Sequence, residues 1–175
     1  NIKDPIGMTG TRLEIVANVV SALTPLVENL RKASDMATVN PNETIPAVMA
    51  ASRAVLDEKQ LENGVAVIDL GGATTSVAIY EEGDLQYIGV IPVGSVNITN
   101  DLAIGLKTDP EVAEQVKLKH ASAVVRGDSA GASVKSGDET LTFSSADIDE
   151  IVEARLDEIF EAIENEFKKA GKLGQ

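Results

Sequence analysis

The 175-residue chain has no cysteine and a single histidine, His120, and these two shortages remove whole classes of chemistry. Without cysteine there is no disulfide and no thiol nucleophile, which fits a reducing compartment. With one histidine a multi-histidine metal centre is impossible. His120 follows Lys117 and Lys119 at the end of an expected helix and reads as a solvated surface residue. Long apolar runs are also missing: none approaches the roughly 18 residues needed to cross a bilayer, and the N-terminus shows no basic-then-apolar signal pattern. Positive charge is scarce. Fifteen Lys and Arg against 28 Asp and Glu leave a net charge of −13 and a pI near 4.4. Nucleic-acid backbones are bound mainly by basic patches, so no nucleic-acid partner is expected. What is present is 43% apolar residues, enough for a real core in one domain or two small ones.

The apolar residues fall into a readable order. The β-branched, partly alternating segment Thr11 to Val20 predicts a strand. Thr24 as N-cap and Pro25 in the first turn predict a helix that buries Leu26, Val27, Leu30 and Ala33. A second helix is predicted from Pro46, with Val48, Met49, Ser52, Val55 and Leu56 at helical spacing, up to a polar break DEKQLENG. Three short strands follow, GVAVIDL, TTSVAIYEE and LQYIGVIPV, the last two joined by a turn at Glu81 to Asp84. Short links make them antiparallel neighbours. Helices are then predicted around Ile98 to Leu106 and from a capping box of Thr108 and Glu111, with Pro110 in its first turn. Ser122 to Gly137 is rich in Gly, Ser and Ala, with short strand pieces at AVV and ASVK. A long helix capped by Ser144 or Ser145 carries Ile148, Ile151, Val152, Leu156, Ile159, Phe160, Ile163 and Phe167, and ends at Gly171.

The stretch that carries chemistry is VIDLGGATTSVAIY, Val67 to Tyr80. An acid at the end of one strand, a glycine pair, and hydroxyls at the start of the next strand suit a phosphate. Gly71 and Gly72 let backbone N–H groups approach an anion closely, and Thr74 and Thr75 can add hydroxyl donors. Asp69 would repel a bare phosphate, so it makes sense with Mg²⁺ or an ordered water between them. The expected ligand is a metal-bound polyphosphate. A strand follows the glycines, which excludes a Walker A loop and a dinucleotide-binding loop, since both lead into a helix. The alternative is a plain hairpin turn, in which glycine pairs are common.

DLGGATT, followed by a hairpin, by IPVGSVNITNDLAIGL and by DPEVAEQVKLKHAS, resembles the second phosphate hairpin and following segments of the actin-like ATPase superfamily. Within it, PIGMTGTRLE and VGSVNITNDLAIGL together resemble the FtsA family of bacterial cell-division proteins. The match covers most of Pro5 to Lys119 and, more loosely, the C-terminal helix. The resemblance implies an α/β, actin-like (ribonuclease H-like) fold, here partial, with an antiparallel three-strand set and helices, and with ATP and Mg²⁺ in a cleft between two halves. It implies that Asp69 holds Mg²⁺ through water, and that Gly71, Gly72, Ala73, Thr74 and Thr75 form the phosphate turn. Glu114 and Lys117 are implied on the ribose and adenine side. By themselves, Glu114 and Lys117, three apart on one face, read as an exposed helix salt bridge, and it is their register with DLGGATT that points to the nucleotide. Arg155 falls where the family receives the C-terminal tail of FtsZ, the alternative being a solvated arginine.

The resemblance further implies self-association into filaments, attachment through a membrane helix outside this chain, and a place at the inner face of the cytoplasmic membrane at the division site. Two departures stand out: Ala73 where a third glycine is usual, uncomfortable if φ there is positive, and Ser76 where an acid is frequent. Both predict weak ATP turnover at most. The chain is expected to be an internal fragment holding one wall of the cleft. It would comprise the end of an accessory subdomain (1–36), a phosphate-hairpin subdomain (37–121 with 168–175) and a smaller outer subdomain with the long helix (122–167). The rival readings are a PilM-like scaffold of pilus assembly and a small-molecule kinase of the same fold. For the kinase, no general base on a loop is evident.

Overall fold

The computed structural model describes residues 6–12, 14–15, 17–124, 131–172 and 174. The chain divides into two compact units, Asn1–Thr44 and Ile45–Gln175.

In the first unit α1 spans Thr24–Met36, with Leu23 and not Thr24 as its N-cap and no side-chain bond there. Pro25 lies in the first turn, where its missing N–H costs nothing. Leu26, Val27, Leu30 and Ala33 do share a face, but α1 buries none of its residues, contrary to the expected stripe. An amphipathic pattern selects a face without supplying what covers it. The predicted strand over Thr11 to Val20 is also not formed among the described residues. Leu13 and Val16, like Pro5 in the PIGMTGTRLE phrase, lie outside them.

In the second unit α2 (Ala47–Val55) follows Pro46 and buries Val48 and Ser52, while Val55 is exposed. α3 (Glu58–Asn63) forms where the sequence reads as a break. A capping box nucleates it: Asp57 Oδ1 accepts from the Gln60 amide at 2.7 Å, and Gln60 Oε1 accepts from the Asp57 amide at 2.9 Å. Three strands follow as predicted, β1 (Val65–Leu70), β2 (Thr75–Glu81) and β3 (Asp84–Ile91), antiparallel in the order β1-β2-β3. Glu82 and Gly83 turn β2 into β3 with φ of 55° and 85°, the sense that matches strand twist.

α4 (Ser95–Gly105) and α5 (Pro110–His120) come next. The expected capping box at α5 is not made, because Asp109 takes the N-cap place and no side chain bonds there. The hairpin of β4 (Ala132–Ser136) and β5 (Glu139–Phe143) occupies the glycine-rich region. ASVK falls in β4, whereas AVV forms no strand at Ala123 and Val124, and Val125 to Ala130 lie outside the described residues. α6 (Ser145–Lys169) is capped by Ser144, whose Oγ accepts from the Asp147 amide at 3.3 Å, and Gly171 follows with φ 69°.

β2 is central and has apolar side chains on both faces, which places two layers of helix on the sheet. Val77 and Ile79 pack with Ile91 and with Ile159 and Ile163 of α6. Ala78 and Tyr80 face Val48 of α2. A separate core joins Ile98 and Leu102 of α4, Val112 and Val116 of α5, Val134 of β4, and Ile148 and Val152 of α6. α6 thus enters both cores and holds α4 beside the sheet. Phe160, counted in the apolar stripe, is 57% exposed: period alone places it at the rim, and its neighbours already fill the core.

Candidate functional site

Asp69 and Leu70 end β1, Thr75 and Ser76 begin β2, and the register sets Asp69 across from Ser76 and Leu70 across from Thr75. The turn between them is closed by the Gly71 amide donating to the Thr74 carbonyl at 2.9 Å. Its outer carbonyls are tied to α4. The Ser95 amide donates to the Gly71 carbonyl and the Val96 amide to the Gly72 carbonyl, each at 2.9 Å. The first amides of a helix have no partner within it, and here two of them hold the glycine turn in place. Gly94 lies under that contact, its own amide donating to Asn97 Oδ1 at 3.0 Å.

The two glycines of the turn have different reasons to be glycine. A Cβ on Gly71 would lie 2.9 Å from the Thr74 carbonyl oxygen, so closing the turn requires its absence. A Cβ on Gly72 would meet only the Val96 side chain at 3.9 Å, an ordinary contact. Nothing inside the fold demands glycine at 72, and the space in front of it is open to a ligand. Neither glycine needs positive φ, and Ala73 does not have positive φ either, so the strain anticipated at Ala73 is absent. The amides of Gly72, Ala73 and Thr74 and the hydroxyl of Thr74 have no hydrogen-bond partner among the described residues, and all three residues are exposed. Consecutive amides without partners in a turn are the kind of group an anion can use. Asp69 is half-buried and its backbone sits in the ladder opposite Ser76, while its carboxylate has no hydrogen bond or ion pair among the described residues. No group of three or more metal-ligating side chains occurs there either.

Thr75 departs from the expected outward hydroxyl. It is 0% exposed and its Oγ1 donates to the Val93 carbonyl at 2.8 Å. Its task is to clamp the start of β2 to the segment that leads into α4, because the strand alternation turns it inward where Thr74 still points to solvent.

Glu114 and Lys117 do pair, at 2.7 Å, and the pair is built into the fold beyond the expected helix surface. Lys117, 13% exposed, also donates to the Ser95 carbonyl at 3.2 Å and to Thr99 Oγ1 at 2.8 Å. Thr99 Oγ1 in turn donates to Glu114 Oε2 at 2.5 Å. Hydrogen bonds from Lys117 and then Thr99, outweighing the opposing effect of burial, hold the Glu114 carboxyl below its usual range. Ser95 therefore links both halves of the site: its amide holds the glycine turn and its carbonyl holds Lys117. Gly94, Ser95 and Thr99 lie in the VGSVNITNDLAIGL phrase, but nothing in that phrase assigns them a task here, which comes from the packing of α4 on the turn and on α5.

Arg155 is 21% exposed and engaged. Its Nε and Nη2 donate to Asp101 Oδ2 and Oδ1 at 2.6 and 3.0 Å, a forked pairing between α6 and α4, and its Nη1 donates to Glu158 at 2.5 Å. The hydrogen bond to Asp101 pushes its pKa further up. His120 is half-buried at the end of α5, partly open to solvent as expected, and its Nε2 also lies 3.1 Å from the Ser133 carbonyl, joining α5 to β4.

Comparison with known proteins identifies the family and the fold. The profile of the family described as "Cell division protein FtsA" matches residues 66–175. The FtsA proteins of Pseudomonas aeruginosa and Bacillus subtilis are each 33% identical over 174 residues, 97% of this chain. The chain spans 42% and 40% of their lengths, about two fifths. Among solved structures, MreB5 of Spiroplasma citri bound to ADP superposes with a TM-score of 0.70 at 18% identity, covering 84% of this chain and 48% of that one. A PilM-PilN type IV pilus biogenesis complex gives 0.59 at 16% identity, over 81% and 35%. The fold is actin-like, as the resemblance implied. The chain belongs to the FtsA family of bacterial cell-division proteins.

Proposed function

We propose that this chain supplies one wall of an ATP cleft in a cell-division protein that assembles into filaments and tethers FtsZ at the inner face of the membrane. The observation that carries the reading is the convergence on Ser95 of the open glycine turn and the Glu114–Lys117 pair. The groups present fit a nucleotide. Free amides at Gly72 to Thr74 and the Thr74 hydroxyl suit phosphate oxygens, and the space in front of Gly72 is open, bounded only by the Val96 side chain. Asp69 suits a Mg²⁺ held through water, the ion supplying charge neutralisation of the phosphates. Glu114 suits ribose hydroxyls. MreB5 with ADP bound supports the ligand class. Ser76 opposite Asp69 leaves the metal side with one carboxylate, which favours sensing a nucleotide over rapid turnover.

The chain so read is the end of an accessory subdomain (1–36), a phosphate-hairpin subdomain (37–121 with 168–175) and an outer subdomain (122–167). No helix among the described residues is long and apolar enough to cross a membrane. The membrane attachment belongs to a helix elsewhere in the protein.

Calorimetric titration of ATP with Mg²⁺ into the intact protein tests the reading. Asp69→Ala should weaken Mg²⁺-dependent binding by roughly 10–100-fold, the usual cost of losing a carboxylate that acts on a metal through its water shell. Equal binding by both proteins would overturn the metal role. Gly72→Ala should leave the thermal midpoint within about 2 °C of the parent, since its methyl meets only ordinary contact, yet weaken ATP binding on the order of tenfold. Retained affinity would mean that phosphate does not approach Gly72. Capture on an FtsZ tail peptide separates the FtsZ reading from a PilM-like scaffold. At Arg155 a tail carboxylate must displace Asp101.

A further inference from the structure

We propose that Thr99 is a positioning residue for the nucleotide sugar: its hydroxyl holds Glu114 so that the free carboxylate oxygen selects ribose over deoxyribose. This rests on the reading of Glu114 as a ribose ligand. Thr99 is buried at 7% exposure, in the middle of α4, and faces α5. Its Oγ1 has one proton to give. Two acceptors are within reach, Glu114 Oε2 at 2.5 Å and the Ser95 carbonyl at 3.4 Å, and the short bond to the charged oxygen takes it. The oxygen lone pairs then accept from Lys117 Nζ at 2.8 Å. The hydroxyl thus stands between ammonium and carboxylate, bonded to both.

The asymmetry of Glu114 gives this arrangement its consequence. Lys117 and Thr99 both bind Oε2, and Oε1 has no partner among the described residues. The side chain is 42% exposed, so the carboxylate is not sealed from a ligand. A half-exposed glutamate ordinarily samples several rotamers, and a ligand that uses it must first order them. Two bonds to Oε2 fix the carboxylate plane beforehand and leave Oε1 as a single oriented acceptor. A ribose presents adjacent hydroxyl donors to such an oxygen, and a 2′-deoxy sugar presents one fewer. A site built to accept a hydroxyl rejects the analogue that lacks it. Because Lys117 also grips the Ser95 carbonyl, whose residue holds the glycine turn, the oriented carboxylate is kept in register with the phosphate amides.

The test is paired titration of ATP and 2′-deoxy-ATP, each with Mg²⁺, into the intact protein and its variants. The parent should prefer ATP by roughly tenfold, about 1.4 kcal/mol, close to the lower end expected for one net hydrogen bond to a charged group. Thr99→Val keeps shape and removes the hydroxyl. It should bring the preference to about twofold, and Thr99→Ser should restore it. Without nucleotide, the Glu114 carboxyl followed by NMR should titrate higher in Thr99→Val than in the parent. Lys117→Met, which removes the other bond to Oε2, should also flatten the preference, and serves if Thr99→Val does not fold. Glu114→Gln is the control for the underlying reading: an unchanged preference there would overturn the ribose role itself. A preference lost in Glu114→Gln but kept in Thr99→Val would overturn only the role of Thr99. Equal weakening of both nucleotides in Thr99→Val would also overturn it, showing structural support without selection.

Discussion

Gly94→Ala should lower the thermal midpoint of the protein by roughly 10 °C, corresponding to about 3 kcal/mol, and take ATP binding with it. The effect is steric and not conformational. Gly94 has φ −156° and ψ −166°, extended backbone that alanine adopts freely. Its added Cβ would lie 2.5 Å from the Gly72 carbonyl oxygen and 2.6 Å from that of Gly71. Both are backbone atoms, and both are held by the first amides of α4 at 2.9 Å. Neither can retreat without breaking the bonds that seat the turn on the helix. Thermal unfolding and ATP titration of the same protein check the pair of effects. A normal midpoint with normal binding would mean that turn and helix slide apart at little cost, and Ser95 would then no longer link the phosphate and sugar sides.

The second large effect concerns Glu166, a carboxylate buried at 7% exposure near the end of α6. The Tyr87 hydroxyl donates to its Oε2 at 2.6 Å, and Lys169 pairs with Oε1 at 2.5 Å. Gly89 on β3 makes room for it: a Cβ there would fall 2.1 Å from Oε2 and 3.0 Å from the Tyr87 ring. Gly89→Ala should cost about 2 kcal/mol by displacing the carboxylate, and Glu166→Ala a similar amount by orphaning the Tyr87 hydroxyl. The double variant should cost less than the sum by about 1 kcal/mol, because the alanine methyl then enters space the carboxylate has left. Strict additivity in a denaturant double-mutant cycle would show that the two do not compete for one volume.

The same contact sets a dependence on pH. Burial, then the bond to Glu166 and its charge, push Tyr87 up from 10.0 to about 12. A raised pKa gives stability that is whole below pH 10 and is lost as pH climbs towards 12. Burial works against the charge on Glu166, but the bonds from Lys169 and Tyr87 outweigh it and leave the carboxyl below 4.5. Its contribution is present above that value and is lost as pH falls through the lowered one. Glu166→Ala should therefore shift phenolate formation at Tyr87 to lower pH.

Elements whose signals are local were legible in the sequence. The three strands, the Glu82–Gly83 turn and α6 with its Ser144 cap follow from alternation, helical spacing and single capping residues, all within a few positions of one another. α3 was legible in the same way, since Asp57 and Gln60 form a box three residues apart, but its polar composition reads as a break. Thr11 to Val20 and the apolar face of α1 misled for the opposite reason: their pattern is good, but a strand needs a ladder partner and a stripe needs a covering surface. Pattern states what a segment can bury, not whether anything is there to bury it.

For the site, the sequence alone determined the chemistry available: an acid, two glycines and hydroxyls between strands, and a Glu–Lys pair three apart. The tertiary structure decided their tasks. It turned Thr75 inward onto Val93, engaged Arg155 with Asp101, bonded His120 to Ser133 and brought Thr99 and Ser95 to the Glu114–Lys117 pair. Each of these contacts joins residues between 13 and 54 positions apart. Over that separation the partner is chosen by how α4 packs against α5 and α6, and α5 against β4, and side-chain identity carries no record of that choice.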